Sequence, residues 1–160
     1  YIDVSGNKKM ERNGVGTSTV MVTAKCLKDV GLFDEKLTCA EDRDLYQRIL
    51  KKYKKCFVDK VLAKHYIHKG QISSDIDKKI ESEKYFIEKN RFDLKRGGML
   101  HGHYFNLGSL FLKNGNFNEA KIYLKKSIQS KNNFLLAKTY LILTNFSPNL
   151  FRRFLLKFGR

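Results

Sequence analysis

The sequence lacks the features that mark several common protein classes. No stretch of about 18 apolar residues occurs among its 160 residues, so we expect no membrane-spanning helix. Its three cysteines, Cys26, Cys39 and Cys56, are spaced like neither a zinc site nor a disulfide framework, which predicts reduced thiols. The chain starts at Tyr1 without a signal-peptide pattern, so we expect a piece of a longer cytoplasmic protein.

Acidic residues are also scarce, and they almost vanish towards the C-terminus. The chain has 32 lysines and arginines against 16 acidic residues, a net charge of +16. Residues 1–98 hold 22 basic and 15 acidic residues, whereas residues 99–160 hold ten basic residues and one acid, Glu119. The change at Gly97-Gly98 predicts a domain boundary.

The excess of positive charge predicts an anionic partner, which is nucleic acid, anionic lipid or a phosphorylated substrate. No familiar nucleic-acid-binding motif occurs, and aromatic residues do not alternate with basic ones as in a stacking platform. Nucleic acid is therefore the weakest of these three alternatives.

Apolar patterns in residues 1–98 predict both strands and helices. The elements expected in order are a buried strand over residues 19–22, a helix over 24–30 capped by a left-handed Gly31, a helix over 39–53, a strand pair over 55–68, and a long polar helix from Ser74 or Asp75 to about Arg96.

The segment CAEDRDLYQR, residues 39–48, concentrates three carboxylates in a basic chain. Thr38-x-x-Glu41 has the form of a capping box, and carboxylates in a first helical turn interact favourably with its positive end. Asp44 is spaced to pair with Arg48 one turn later. On this interpretation the acids only stabilise a helix.

Three motifs in order favour a different interpretation. VGLFDE (residues 30–35), AEDRDLYQRI (40–49) and HYIHKGQISS (65–74) together resemble the C-terminal half of family 2 glycosyltransferases of the GT-A fold, over about residues 13–75. The resemblance implies an enzyme that transfers a sugar, with inversion, from a nucleotide-sugar donor to a glycan or other hydroxyl acceptor. The donor-binding half has no counterpart here, so the resemblance implies a fragment that is inactive alone.

The same resemblance implies roles for individual residues. Asp42 would be the general base that deprotonates the acceptor hydroxyl, with Glu41 beside it. His68 would lie near a divalent cation, Mg²⁺ or Mn²⁺, that offsets charge developing on the leaving diphosphate. The alternative for His68 is an ordinary surface histidine in a loop.

Three further residues would contact the substrates. Thr17 and Ser18 match the position at which the family lines the acceptor pocket, although they are equally well explained as strand-edge hydroxyls. Lys69, or alternatively Lys64, would replace an arginine that the family places near the diphosphate and that this sequence lacks.

Residues 99–146 have a helical period throughout, and their spacing matches a tetratricopeptide helix pair. The positions that carry the match are Tyr104, Leu107, Gly108, Phe111, Ala120, Leu124 and Ser127. Gly108 and Ala120 would let the two helices approach closely, and Asn116-x-x-Glu119 resembles a capping box. A second repeat from Leu135 would be degenerate, since Ile142 occupies its small-residue position.

The final segment, residues 147–160, combines apolar and basic residues at helical spacing. The apolar face comprises Leu150, Phe151, Phe154, Leu155 and Phe158. Arg152, Arg153 and Lys157 flank it, as in a helix that lies on an anionic membrane surface. The alternative is a last helix that packs on the repeat.

These patterns together predict an α/β fold with an all-α helical-repeat appendage. The expected domains are residues 1–98, the acceptor half of a GT-A glycosyltransferase with a trailing helix, residues 99–146, the repeat, and residues 147–160, a basic amphipathic tail. The enzyme would build a cell-surface or protein-linked glycan in the cytoplasm or at the inner membrane face, and the repeat would bind a protein partner. The alternative function is a non-catalytic basic helical-repeat scaffold, or a module that binds nucleic acid or an anionic surface.

Overall fold

A computed structural model describes residues 17–56 and 75–158 of the chain. The chain divides into two compact units, residues 1–71 and residues 72–160. The predicted boundary at residue 98 lies inside the second unit, because the long helix before it packs along the first helix of the repeat.

The described part of the first unit contains a 3₁₀ turn and two helices. The turn is Thr17–Thr19, helix α1 is Ala24–Val30 and helix α2 is Glu41–Lys52. The Thr23 side chain caps α1 by accepting a hydrogen bond of 3.3 Å from the Cys26 amide. Cys26 packs with Leu45 and Ile49 in the small apolar core between the two helices. The predicted helices are confirmed here, with α2 shorter than expected.

Two details at the helix ends differ from the predictions. Gly31 follows α1 with φ 82° but ψ 163°, so its φ is positive without the left-handed helical geometry of the expected cap. The predicted capping box is wrong: Ala40, not Thr38, is the N-cap of α2, and no side chain caps that end. Ala40 has φ 58° and ψ 28°, a backbone conformation that residues other than glycine rarely adopt.

The second unit is built from five helices within residues 75–158. They are α3 (Ile76–Arg96), α4 (Leu100–Asn114), α5 (Phe117–Ser130), α6 (Leu135–Phe146) and α7 (Pro148–Phe158). Helix α4 lies at the centre and packs against α3, α5 and α7. As predicted, Asp75 caps α3, its carboxylate accepting a hydrogen bond of 3.1 Å from the Lys78 amide.

Helices α4 and α5 form the predicted close pair. A Cβ added to Gly108 would lie 3.0 Å from Leu124 Cγ and 3.3 Å from the carbonyl oxygen of Ala120. The hydroxyl of buried Ser127 donates a hydrogen bond of 2.7 Å to the carbonyl of His101, which joins the other ends of the two helices. The small residues of the repeat pattern therefore stand where the backbones approach, as the sequence predicted.

The described residues contradict the predicted α/β fold class. Every regular element in residues 17–56 and 75–158 is helical, and neither range contains a β-strand. Residues 19–22, predicted as a buried strand, hold the end of the 3₁₀ turn and an irregular segment in which Thr19 and Met21 are exposed. The β-branched residues of this run have no sheet here to bury them. The strand pair predicted over 55–68 falls mostly outside the described residues.

Candidate functional site

Asp42 and Thr17, two of the residues that the sequence singled out, lie together in the first unit. Asp42 is in the first turn of α2, and its Oδ2 atom accepts a hydrogen bond of 2.9 Å from the Thr17 hydroxyl. Its Oδ1 atom accepts a hydrogen bond of 2.7 Å from the Arg43 amide. Asp42 is half-buried, and the turn holding Thr17 orients it.

The pKa of nearby Tyr46 is shifted by its surroundings in this corner of the first unit. Burial raises the pKa of the Tyr46 hydroxyl, the Thr17 hydroxyl opposes that shift, and the carboxylates of Asp42 and Glu41 add to it. Ser18 is exposed on the same turn. These residues form a small polar corner held by hydrogen bonds, and the substrate and catalytic roles inferred for them stay predictions.

Two other predicted site residues, His68 and Lys69, lie outside the described residues. In the part of the chain that the structure describes, no group of three or more histidine, cysteine, aspartate or glutamate side chains could hold a metal ion. The divalent cation stays a prediction.

The ion pair between Asp44 and Arg48 is confirmed, and it does more than predicted. Arg48 Nε lies 2.9 Å from Asp44 Oδ2 across one turn of α2. The same guanidinium donates hydrogen bonds to the carbonyls of Val30, Gly31 and Leu32, at 2.5, 3.0 and 2.7 Å. Arg48 therefore joins the end of α1 to α2, which is a structural role.

Aromatic contacts join α4 to the second helix pair. The Phe105 ring lies 5.2 Å from the Phe134 ring and 4.8 Å from the Tyr140 ring of α6. Tyr140 in turn meets the Phe151 ring of α7 edge-on at 4.9 Å. These contacts position α6 and α7 on the repeat, and they leave part of each helix exposed.

Helix α6 exposes a set of large apolar side chains that we name the α6 face. Its members are Leu135, Leu136, Ile142, Leu143 and Phe146. Phe146 is 84% exposed, while Ala137 and Thr144 on the opposite side of the helix are fully buried. The α6 face thus lies opposite the side that packs on the protein, and exposed apolar side chains grouped in this way are typical of interaction surfaces.

Helix α7 divides its apolar residues between two rows. Phe151 and Leu155 are buried, and the Nε atom of Arg152 donates a hydrogen bond of 3.0 Å to the Lys113 carbonyl of α4. Leu150, Phe154 and Phe158, which we name the α7 ridge, remain exposed. The sequence grouped all five residues on one apolar face, and the structure packs two of them on the repeat and leaves three exposed.

The charge around these two surfaces has one sign. Residues 135–158 contain Lys138, Arg152, Arg153 and Lys157 and no aspartate or glutamate. Across the described ranges, no helix is both long and apolar enough to cross a membrane. The surfaces of α6 and α7 are therefore apolar areas with basic residues beside them.

Sequence reasoning grouped the five apolar residues of α7 without separating the three of the α7 ridge, and it missed the α6 face. Ile142 was noted only as a defect in the repeat pattern. A bulky residue at a position that stacked repeats keep small was the available signal that this side of α6 stays uncovered.

Comparison with known proteins supports the repeat and not the enzyme. Residues 104–134 match the family model of the tetratricopeptide repeat. No curated protein and no solved structure matches the chain. The prediction of a glycosyltransferase is wrong on these findings, because the described residues are helical without a sheet and the family model that matches among them is a helical repeat.

Proposed function

We propose that the second unit is a non-catalytic helical-repeat scaffold that binds a protein partner through the α6 face. The tetratricopeptide match supports the class of function, since helix pairs of this kind stack and present extended binding surfaces. The observation that carries the choice of surface is the exposure of five large apolar side chains on one side of α6.

The packing of α6 makes this surface a rigid one. Fully buried Ala137 and Thr144 fix the opposite side of the helix, and the Tyr140 ring is held between Phe105 and Phe151. A partner therefore meets side chains whose backbone is already ordered, which lowers the entropy cost of binding.

The spacing and charge of the surface indicate the partner's chemistry. Leu135, Ile142 and Phe146 recur at intervals of seven and four residues, which is the register of an apolar helix stripe. Lys138 and the arginines of α7 lie in the same acid-free segment. Complementarity then favours a partner helix with an apolar stripe bordered by aspartate or glutamate.

A displayed library of helix-forming peptides, selected against the full chain, tests this proposal. We expect selected peptides to carry apolar residues one and two turns apart with acids beside them. Replacing Ile142→Ser and Phe146→Ser together should weaken their binding at least about tenfold, since both side chains would be buried at the contact. Fluorescence anisotropy measures the affinity.

The matched control is Phe92→Ser on α3. Phe92 is 76% exposed in the same unit but lies outside the α6 face, so its replacement should leave the affinity unchanged. Peptides that bind equally well to the Ile142 and Phe146 variant, or that lose as much affinity in the Phe92 variant, would overturn the proposal.

A further inference from the structure

We infer that α7 is a docking helix for an anionic membrane surface, with the α7 ridge in the lipid interface and Arg153 and Lys157 on the lipid headgroups. No side chain of the α6 face takes part in this inference, so it can be tested separately from what that face binds.

The first step is the anchoring of α7 on the repeat. Phe151 and Leu155 are buried, the Phe151 ring packs edge-on against Tyr140, and Arg152 donates to the Lys113 carbonyl at the end of α4. A Cβ on Gly115 would lie 3.5 Å from Arg152 Nε, so the turn after α4 also touches this side chain. The helix is therefore ordered before it meets any surface.

The second step is that the α7 ridge stays exposed when α7 packs on the repeat. Leu150, Phe154 and Phe158 are 69%, 56% and 62% exposed. They are four residues apart, so they follow one side of the helix, and the Phe154 and Phe158 rings lie 5.2 Å from each other. Three large apolar side chains thus form a continuous edge beside the buried row.

The third step is the charge along that edge. Arg153 and Lys157, one turn apart, are exposed, and the Lys157 ammonium lies 5.3 Å from the centre of the Phe158 ring. No acid occurs in α4, α6 or α7, and α5 contains only Glu119. Helices α4 and α6, which pack against α7, therefore offer these cations no acidic side chain.

An apolar row that borders a parallel basic row is the arrangement of helices that lie in a membrane interface. The apolar side chains enter the boundary between headgroups and acyl chains, while the basic ones interact with the negative surface potential of anionic lipid. A ridge of three residues is narrow, so attachment depends on both rows and is reversible.

Binding of the full chain to vesicles tests the inference. Vesicles of phosphatidylcholine with phosphatidylserine should bind the chain, vesicles of phosphatidylcholine alone should bind it far more weakly, and added salt should release it. Replacing Leu150, Phe154 and Phe158 together by serine should lower the partition coefficient roughly a thousandfold, since each interfacial side chain contributes a factor of about ten.

Replacing Arg153→Gln and Lys157→Gln should lower binding to the anionic vesicles by about fivefold per residue. The same pair should leave binding to phosphatidylcholine alone unchanged. The matched control is Phe92→Ser with Lys95→Gln on α3, one exposed aromatic and one exposed cation, which should change neither. Circular dichroism of each variant checks that the helices are kept.

Three outcomes would overturn the inference. The first is equal binding of the wild-type chain and the serine variant to anionic vesicles. The second is displacement of the chain from anionic vesicles by soluble glycerophosphoserine. That result would assign a free headgroup as the ligand. The third is a ridge-dependent dimer in analytical ultracentrifugation without vesicle binding, which would assign a second copy of the chain as the occupant.

Discussion

Gly108 of α4 and Leu124 of α5 approach so closely that a Cβ on Gly108 would lie 3.0 Å from the Leu124 Cγ atom. Leu124 is fully buried and has little room to move, and the Ala120 carbonyl closes the other side of the contact. The close spacing between α4 and α5 therefore depends on residue 108 being a glycine, which has no side chain.

Gly108→Val should destabilise the second unit by about 1–3 kcal/mol, the usual cost of overpacking a close contact. Chemical denaturation followed by circular dichroism measures the change. The control is Gly102→Ala in the same helix, where a Cβ meets nothing within 4 Å. That substitution should stabilise by up to about 1 kcal/mol, because alanine loses less backbone entropy than glycine in a helix. Destabilisation of equal size at both positions would contradict this account.

Arg48→Ala should lower the free energy needed to open the first unit by about 3 kcal/mol or more. It removes an ionic partner of Asp44, a carboxylate that is only 1% exposed, together with donors to three backbone carbonyls. Hydrogen exchange of the amides in α1 and α2 reports the free energy of opening. Arg48→Lys should restore only part of it, because an ammonium lacks the planar fork that contacts several acceptors. Full rescue by lysine would show that charge alone is needed.

His103→Leu should destabilise the contact between α3 and α4 by about 1–3 kcal/mol, the cost of removing a partner from a buried polar group. The Nδ1 atom of His103 lies 2.8 Å from Oε1 of buried Glu83, and its ring stacks on Phe86. Leucine keeps the apolar contact but not the polar one. His101→Leu is the comparison, since that ring meets Phe134 edge-on. Equal stability of the His103 variant and the wild type would contradict a role for the pair.

Tyr53 predicts an alkaline pH dependence in the first unit. Its hydroxyl donates to the Asp29 carboxylate, and this bond raises the pKa of Tyr53 from 10.0 to about 12. The raised pKa means that the folded state favours the protonated form of Tyr53. The stabilising contribution of this hydrogen bond is therefore complete below pH 10 and disappears as the pH rises towards 12. Tyr53→Phe should be less stable than the wild type at neutral pH, and the difference should shrink over that interval. Hydrogen exchange of α2 cannot be followed easily at such pH, so urea unfolding monitored by circular dichroism is the measurement. A difference that stays constant to pH 12 would contradict the assignment.

Most of the helical parts of the fold could be predicted from local sequence patterns. Helix α1, the Asp75 cap of α3 and the α4–α5 pair follow from periodicity, capping residues and small residues at fixed spacing. The strand predicted at residues 19–22 is wrong, because a short β-branched run forms a buried strand only if a sheet exists to receive it. In the site, Asp42 and Thr17 were named separately, and their hydrogen bond depends on a turn that periodicity does not describe.

The sequence by itself determined the charge of this protein, the positions of its repeat helices and the absence of acids from residues 135–158. Only the tertiary structure decided which apolar residues of α6 and α7 are buried. Phe151 and Leu155 pack on the repeat while Leu150, Phe154 and Phe158 stay exposed. All five fall on one broad side of a helical wheel, and a wheel does not show where a neighbouring helix ends.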